Sequence, residues 1–218
     1  MSDSPSRRQV LRTTAVAAGA AAMGACTSQP QADAQSAATK GGQFKYALNT
    51  STIRQQAKTL TEQIDIAIKA GYDAIEPWIS HISKHQGSLK DVAKKCADNN
   101  LKIVSAIGFA RWIVDDKAER AKGLEQAKKD MALVKAIGGT HIAAPPVGAN
   151  RGDSPKLDLF AAAERYGQLC KVGTEAGVIP QVEVWGFSKN LSRLGEAVFV
   201  ATESGHPDAC ILPDTYHV

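Results

Sequence analysis

Two acidic residues and a histidine near the C-terminal end of the chain have types and spacing suited to metal-dependent chemistry. Glu183 lies near the end of a short apolar run, residues 178–185, which is bounded by glycine on both sides. Asp214 follows a second apolar run, residues 210–213, and His217 comes three residues later. Because burying an unpaired carboxylate is costly, Glu183 is expected to meet a cation, a proton or a strong hydrogen-bond donor.

This donor set defines the chemistry that we expect. Carboxylates with an imidazole suit Mn²⁺, Mg²⁺ or Co²⁺, and Zn²⁺ is also compatible with them. A cation that polarises a sugar carbonyl would acidify the neighbouring C–H bond, and a carboxylate could then remove the proton. Aldose–ketose isomerisation, epimerisation next to a carbonyl and elimination of water all begin with that step.

The elements that position these residues form a repeated pattern of apolar strand, loop, amphipathic helix and glycine. This alternation predicts a parallel sheet built from βα units. The unit spacing suits a (β/α)₈ TIM barrel. A doubly wound sheet usually carries a glycine-rich phosphate loop after its first strand, but residues 49–52 read Asn-Thr-Ser-Thr. The predicted strands are residues 44–48, 73–76, 102–107, 140–144, 178–186 and a sixth beginning at Cys210.

Six βα units precede Val218, whereas the barrel has eight, so the sequence predicts an incomplete TIM barrel over residues 43–218. Closing a barrel pairs all of its strand edges. We therefore expect this fragment alone to be unstable and inactive.

Three stretches of the chain resemble the xylose-isomerase-like superfamily of sugar isomerases and epimerases. They are residues 71–76 (Gly-Tyr-Asp-Ala-Ile-Glu), 182–186 (Val-Glu-Val-Trp-Gly) and 214–217 (Asp-Thr-Tyr-His). The resemblance implies that Glu183 and Asp214 ligate one divalent cation (Mn, Mg, Co or Zn), that Glu183 doubles as the catalytic base, and that His217 faces the substrate. The family's remaining metal ligands lie on strands seven and eight and have no counterpart before Val218.

Further candidates follow other strand ends. Glu76 either contacts the substrate or braces the rim, and Trp185 and Trp78 could form an apolar wall against one face of a sugar. His81 and His85 have the spacing of a zinc-binding helix, but the surrounding Ser and Gly favour a solvated face. His141, within the fourth strand, is interpreted as a hydrogen-bonded core residue.

The N-terminal segment predicts export. Arg7-Arg8 followed by a weakly apolar stretch resembles a twin-arginine signal peptide, residues 1–26, and residues 23–26 (Met-Gly-Ala-Cys) resemble a lipobox that would acylate Cys26. Residues 27–42 have the composition of a disordered tether. The sequence thus predicts a periplasmic protein, with membrane attachment only through the lipid.

The charge balance gives no case for a nucleic-acid partner. The formal net charge is +4, of which residues 1–25 contribute +2 through three arginines and Asp3. A small-molecule sugar is the expected partner. The leading interpretation is a metal-dependent sugar isomerase or epimerase. The alternatives are a non-catalytic sugar-binding lipoprotein, a keto-sugar dehydratase and, ranked last, an endonuclease of the related abasic-site repair type.

Overall fold

Six parallel strands alternate with helices in the computed structural model, which describes residues 44–218. The strands are β1 (Ala47–Asn49), β2 (Ala74–Glu76), β3 (Lys102–Ile103), β4 (His141–Ala144), β5 (Ile179–Glu183) and β6 (Cys210–Leu212). The helices are α1 (Leu60–Ala70), α2 (Ile79–Ser83), α3 (Leu89–Asp98), α4 (Lys117–Ala136), α5 (Leu159–Ala176) and α6 (Leu194–Glu203), and a 3₁₀ turn spans Thr50–Ile53. This architecture confirms the predicted α/β fold of the TIM-barrel type.

The strands follow one another in chain order across the sheet. β1, β2 and β3 pair in parallel, as do β4, β5 and β6. Backbone hydrogen bonds join the two groups beyond the end of β3: Ala106 N donates to His141 O at 3.1 Å, and Ala143 N donates to Ala106 O at 2.8 Å. All six carboxyl ends therefore lie at one rim, where TIM barrels place their functional residues.

Local sequence signals explain where the helices begin and end. Thr59 and Glu62 form a reciprocal capping box at the start of α1. Asp116 and Asp158 accept hydrogen bonds from the third backbone N–H of α4 and α5. Gly71 and Gly177 end α1 and α5 in the left-handed conformation, with φ of 77° and 66°, as the sequence predicts.

One continuous apolar core lies between the helices and the strands. Trp112 and Tyr166 are its largest fully buried side chains, and their ring centroids are 5.7 Å apart. The Tyr166 hydroxyl lies 2.6 Å from Pro180 O and 3.0 Å from Cys210 O, which links α5 to β5 and β6. None of the helices between Phe44 and Val218 is long and apolar enough to cross a membrane.

Several element boundaries differ from the sequence prediction. β2 and β4 each begin one residue later than predicted, and β5 spans Ile179–Glu183 rather than residues 178–186. β1 begins at Ala47 rather than Phe44, whose side chain is 79% exposed. The third strand ends at Ile103 rather than Ile107, although Ile107 still forms an isolated bridge with Trp78. The sequence pattern also predicts a helix over residues 191–202. α6 instead begins at Leu194, because Leu191 has a left-handed φ of 53° that no α-helix accommodates. The predicted signal peptide, Cys26 lipidation and tether lie outside the described residues.

Candidate active site

Glu183, Asp214 and His217 converge at the carboxyl ends of β5 and β6. Glu183 is the last residue of β5 and pairs in register with Leu212. Asp214 lies two residues beyond Leu212, where the chain turns and Asp214 N donates to Leu212 O at 3.0 Å. One potential ligand atom from each of Glu183, Asp214 and His217 lies within 4.8 Å of the other two, a spacing that one cation could bridge. His217 lies beside the two carboxylates and also lines the neighbouring cavity, and its contact with the substrate stays a prediction.

The turn after β6 holds Asp214 and His217 in fixed relation. Asp214 Oδ1 accepts a hydrogen bond from Tyr216 N at 2.9 Å, and His217 N donates to Asp214 O at 3.0 Å. His217 Nε2 lies 3.8 Å from Asp214 Oδ2. The His217 carbonyl packs so closely against Gly186 that a Cβ at position 186 would overlap it. The glycine after β5 thereby allows the β6 turn to approach Glu183.

Glu183 is a buried carboxylate without a partner for one of its oxygens. Glu183 is only 6% exposed, and its Oε2 has no hydrogen-bond partner among the described residues. Burial, with the charges of Asp214 and Glu76 nearby, raises the pKa of Glu183 from 4.5 to about 7. A carboxylate poised near neutrality is suited to accept and return a proton.

Glu76 faces the same cavity from the other group of strands. It pairs in register with Asn49, whose Nδ2 donates to Glu76 Oε2 at 2.8 Å. Glu76 Oε1, like Glu183 Oε2, is buried without a partner among the described residues. Burial, and to a smaller extent the charge of Asp214, raises the pKa of Glu76. A bound cation would give the buried Glu183 oxygen a partner, so Glu183, Asp214 and His217 fit a divalent ion, whereas Glu76 lies outside this group of three.

A cavity of about 530 Å³ opens above these carboxylates. Its wall is a row of aromatic rings: the Trp78 and Phe109 centroids are 4.9 Å apart, those of Phe109 and Trp185 6.5 Å, and those of Trp185 and Phe187 5.1 Å. Trp185 and His217 follow at 6.3 Å. The structure places Trp185 and Trp78 where the sequence suggested a wall. The wall also contains Phe109 and Phe187. Like the two tryptophans, they come shortly after predicted strands, and this position in the sequence could have identified them.

Arg54 also lines the cavity and lies at the Trp78 end of the aromatic row, away from the Trp185 end that adjoins His217. Its guanidinium carbon lies 5.6 Å from the Trp78 ring centroid, and the Trp78 Nε1–H donates to Ser51 Oγ at 2.6 Å. Arg54 was not predicted from the sequence, because the segment after β1 was interpreted only through its lack of phosphate-loop glycines. A basic residue in the first turn after a barrel strand was the available signal.

The other histidines lie apart from the carboxylate cluster. The sequence pattern favours a solvated face for His81 and His85, and this is wrong for His81, because α2 directs its Nδ1 to within 2.8 Å of Nε2 of the fully buried Gln63. Half-buried His141 forms a 2.8 Å contact with Thr140 Oγ1 through Nδ1.

The profile of the family described as "Xylose isomerase-like TIM barrel" matches residues 64–218, more than half of the chain. The chain belongs to this family. Membership accounts for the alternation of strands and helices and for the site at the carboxyl ends of the strands. No curated protein shows significant sequence similarity to the chain.

Several solved structures share this xylose isomerase-like fold. A zinc-bound IolI protein superposes with a TM-score of 0.66 at 16% identity, covering 80% of this chain and 64% of its own length. A D-psicose 3-epimerase in the presence of D-fructose superposes with a TM-score of 0.64 at 19% identity, covering 76% of this chain and 61% of its own length. The probable 3-DHS dehydratase AsbF from Bacillus anthracis superposes with a TM-score of 0.62 at 16% identity, also covering 76% of this chain and 61% of its own length. The chain thus spans less than two thirds of the length of each of these structures.

Proposed function

We propose that this chain is the metal-binding part of a sugar isomerase or epimerase. Glu183 and Asp214 hold one divalent cation (Mn²⁺, Mg²⁺, Co²⁺ or Zn²⁺), with His217 beside them. The observation that carries the proposal is the convergence of these three residues around a buried Glu183 oxygen that has no other partner. When bound, the cation supplies Lewis-acid polarisation of the sugar carbonyl.

Glu183 transfers the proton. In its ionised form it accepts a proton from the carbon next to the carbonyl. Returning that proton to the neighbouring carbon gives an isomer, and delivery of a proton to the opposite face of the original carbon gives an epimer. Asp214 balances the charge of the site, and His217 offers a polar edge to a substrate oxygen.

The cavity wall supports a sugar as the substrate. The aromatic faces of Trp185 and Trp78 suit the C–H face of a sugar ring, while Glu76 and Asn49 supply hydrogen-bonding groups across from it. Structures with the same fold include epimerases that act on D-psicose and L-ribulose by name. Ketoses are therefore the first compounds to test.

We also propose, from residues 1–26 alone, that the protein is exported to the periplasm and attached to the membrane through acylated Cys26. Arg7-Arg8 and the lipobox-like residues 23–26 support this proposal. Export favours sugars that are not phosphorylated.

The test of the proposed function uses the full chain with Mn²⁺ and D-fructose in D₂O, and exchange by this chain would show that the expected inactivity of the incomplete barrel is wrong. Proton transfer next to the carbonyl would introduce deuterium at a carbon adjacent to C2, which NMR detects, and the product identifies isomerisation, epimerisation or loss of water. Calorimetric titration measures Mn²⁺ binding separately. Glu183→Gln keeps the shape of the side chain and removes its charge, so it is expected to lower Mn²⁺ affinity and abolish exchange.

Glu164→Gln is the matched control, because Glu164 is exposed on α5. It is expected to behave like the unmodified protein. Equal Mn²⁺ affinity in the Glu183 and Glu164 variants would refute the metal site. Mn²⁺ binding without exchange for any ketose tested would leave the metal site standing and refute catalysis by this chain.

A further inference from the structure

The aromatic row separates a basic group from the cluster of Glu183, Asp214 and His217. His217 of that cluster lies beside the Trp185 end of the row, and Arg54 lies over the Trp78 end. Arg54 is the only Lys or Arg among the described residues that line the cavity. Arg54 takes part in none of the ion pairs formed by the described residues, although three carboxylates share its cavity. Its guanidinium is therefore available to a ligand.

The segment that carries Arg54 is firmly anchored. The buried Thr50 donates through Oγ1 to Glu76 O at 3.2 Å, and Asn49 Oδ1 accepts from Ser51 N at 2.9 Å. Ser51 in turn receives the Trp78 indole N–H, and the guanidinium lies over that indole. Stacking on an aromatic face leaves the donor edge of a guanidinium open, and this planar edge matches a carboxylate or phosphate.

We propose that Arg54 binds an anionic substituent of the substrate, a carboxylate or a phosphate, at the end remote from the reacting carbonyl. The carboxylates of Glu183 and Asp214 disfavour an anionic group placed beside them, whereas the Arg54 guanidinium attracts it. An anionic sugar therefore enters with its charged group toward Arg54 and its carbonyl toward Glu183. The aromatic row between them contacts the carbon skeleton. This inference rests on the proposed function for the direction of the sugar, but the binding of the anion does not depend on catalysis.

The test compares three sugars that differ only at C6: D-glucose, D-glucuronate and D-glucose 6-phosphate. Their affinities for the full chain are measured by calorimetric titration with and without Mn²⁺. We expect glucuronate or glucose 6-phosphate to bind about tenfold tighter than glucose or better, because a charge-assisted hydrogen bond has about that value. The tighter of the two identifies the anion as carboxylate or phosphate.

Arg54→Gln is expected to remove this preference, and Arg54→Lys, which keeps the charge but lacks the planar fork, to retain part of it. Arg151→Gln is the matched control, since Arg151 is exposed and lies outside the cavity lining. The inference is overturned if the unmodified chain does not prefer either anion, or if the preference survives in Arg54→Gln.

The two proposals fail in different ways. Glu183→Gln should lose Mn²⁺ affinity and keep the anion preference. Absence of Mn²⁺ binding by the unmodified chain, with the anion preference intact, would remove the proposed metal-dependent function and leave the role of Arg54 standing.

Discussion

Replacing Glu183 by glutamine should stabilise the metal-free protein at alkaline pH. Burial raises the pKa of Glu183 from 4.5 to about 7. A carboxyl whose pKa is higher in the folded state favours folding most below its unfolded pKa, and this contribution is lost as the pH rises through the folded pKa. This rise in the pKa corresponds to about 3 kcal/mol of stability that the folded protein loses above neutral pH. Glutamine carries no charge, so the variant escapes this loss.

The assay is thermal unfolding in EDTA at about pH 5 and about pH 8. For a chain of this size, about 3 kcal/mol corresponds to a melting temperature roughly 6–12 °C higher for Glu183→Gln at the alkaline pH, with a much smaller difference at the acidic one. Excess Mn²⁺ should reverse the order, because the cation stabilises only the protein that binds it.

Glu164→Gln should not change the melting temperature under either condition, which controls for the general effect of removing a carboxylate. A difference between Glu183→Gln and the unmodified chain that is independent of pH would refute the reasoning. A metal-free Glu183→Gln variant that is less stable than the unmodified chain at the alkaline pH would also refute it, because folding would then not raise the pKa of Glu183.

Three further predictions test other contacts. Gly186→Ala should displace the His217 carbonyl that it would overlap and lower Mn²⁺ affinity at least about tenfold, whereas the control Gly152→Ala, with nothing within 4 Å of its Cβ, should leave calorimetric titration unchanged. Tyr166→Phe leaves two strand carbonyls without the hydroxyl and should cost about 1–3 kcal/mol in urea unfolding, and a cost near zero would contradict this. Arg7→Lys with Arg8→Lys should abolish export in cell fractionation, and equal periplasmic amounts would show that the twin-arginine interpretation is wrong.

The alternation of strands and helices could be predicted from the sequence because its causes are local. The apolar runs that become β4 and β5 are short and bounded by glycine or proline, and the helices between them carry apolar residues at helical spacing. Boundaries were less accurate where a single residue departs from its pattern. Leu191 fits the helical spacing but adopts a left-handed backbone, and nothing in its neighbours signals that conformation.

The positions of Glu183 and Asp214 were also predictable, since both follow strand ends and a parallel βα repeat brings all strand ends to one rim. Their roles as metal ligands, and that of Glu183 as the base, remain predictions. Burial of Glu183 without a partner could not be predicted, because it depends on how closely the turn at Asp214 packs against Gly186.

The sequence by itself determined the fold class and the acids at the rim, because both depend on periodicity and on the order of short segments. Only the tertiary structure decided that Glu76 faces the same cavity, that Phe109 continues the aromatic row between Trp78 and Trp185, and that Arg54 lies over Trp78. These contacts join residues from different βα units. The curvature of the sheet and the packing of the loops after each strand set those distances, and no local pattern in the chain encodes them.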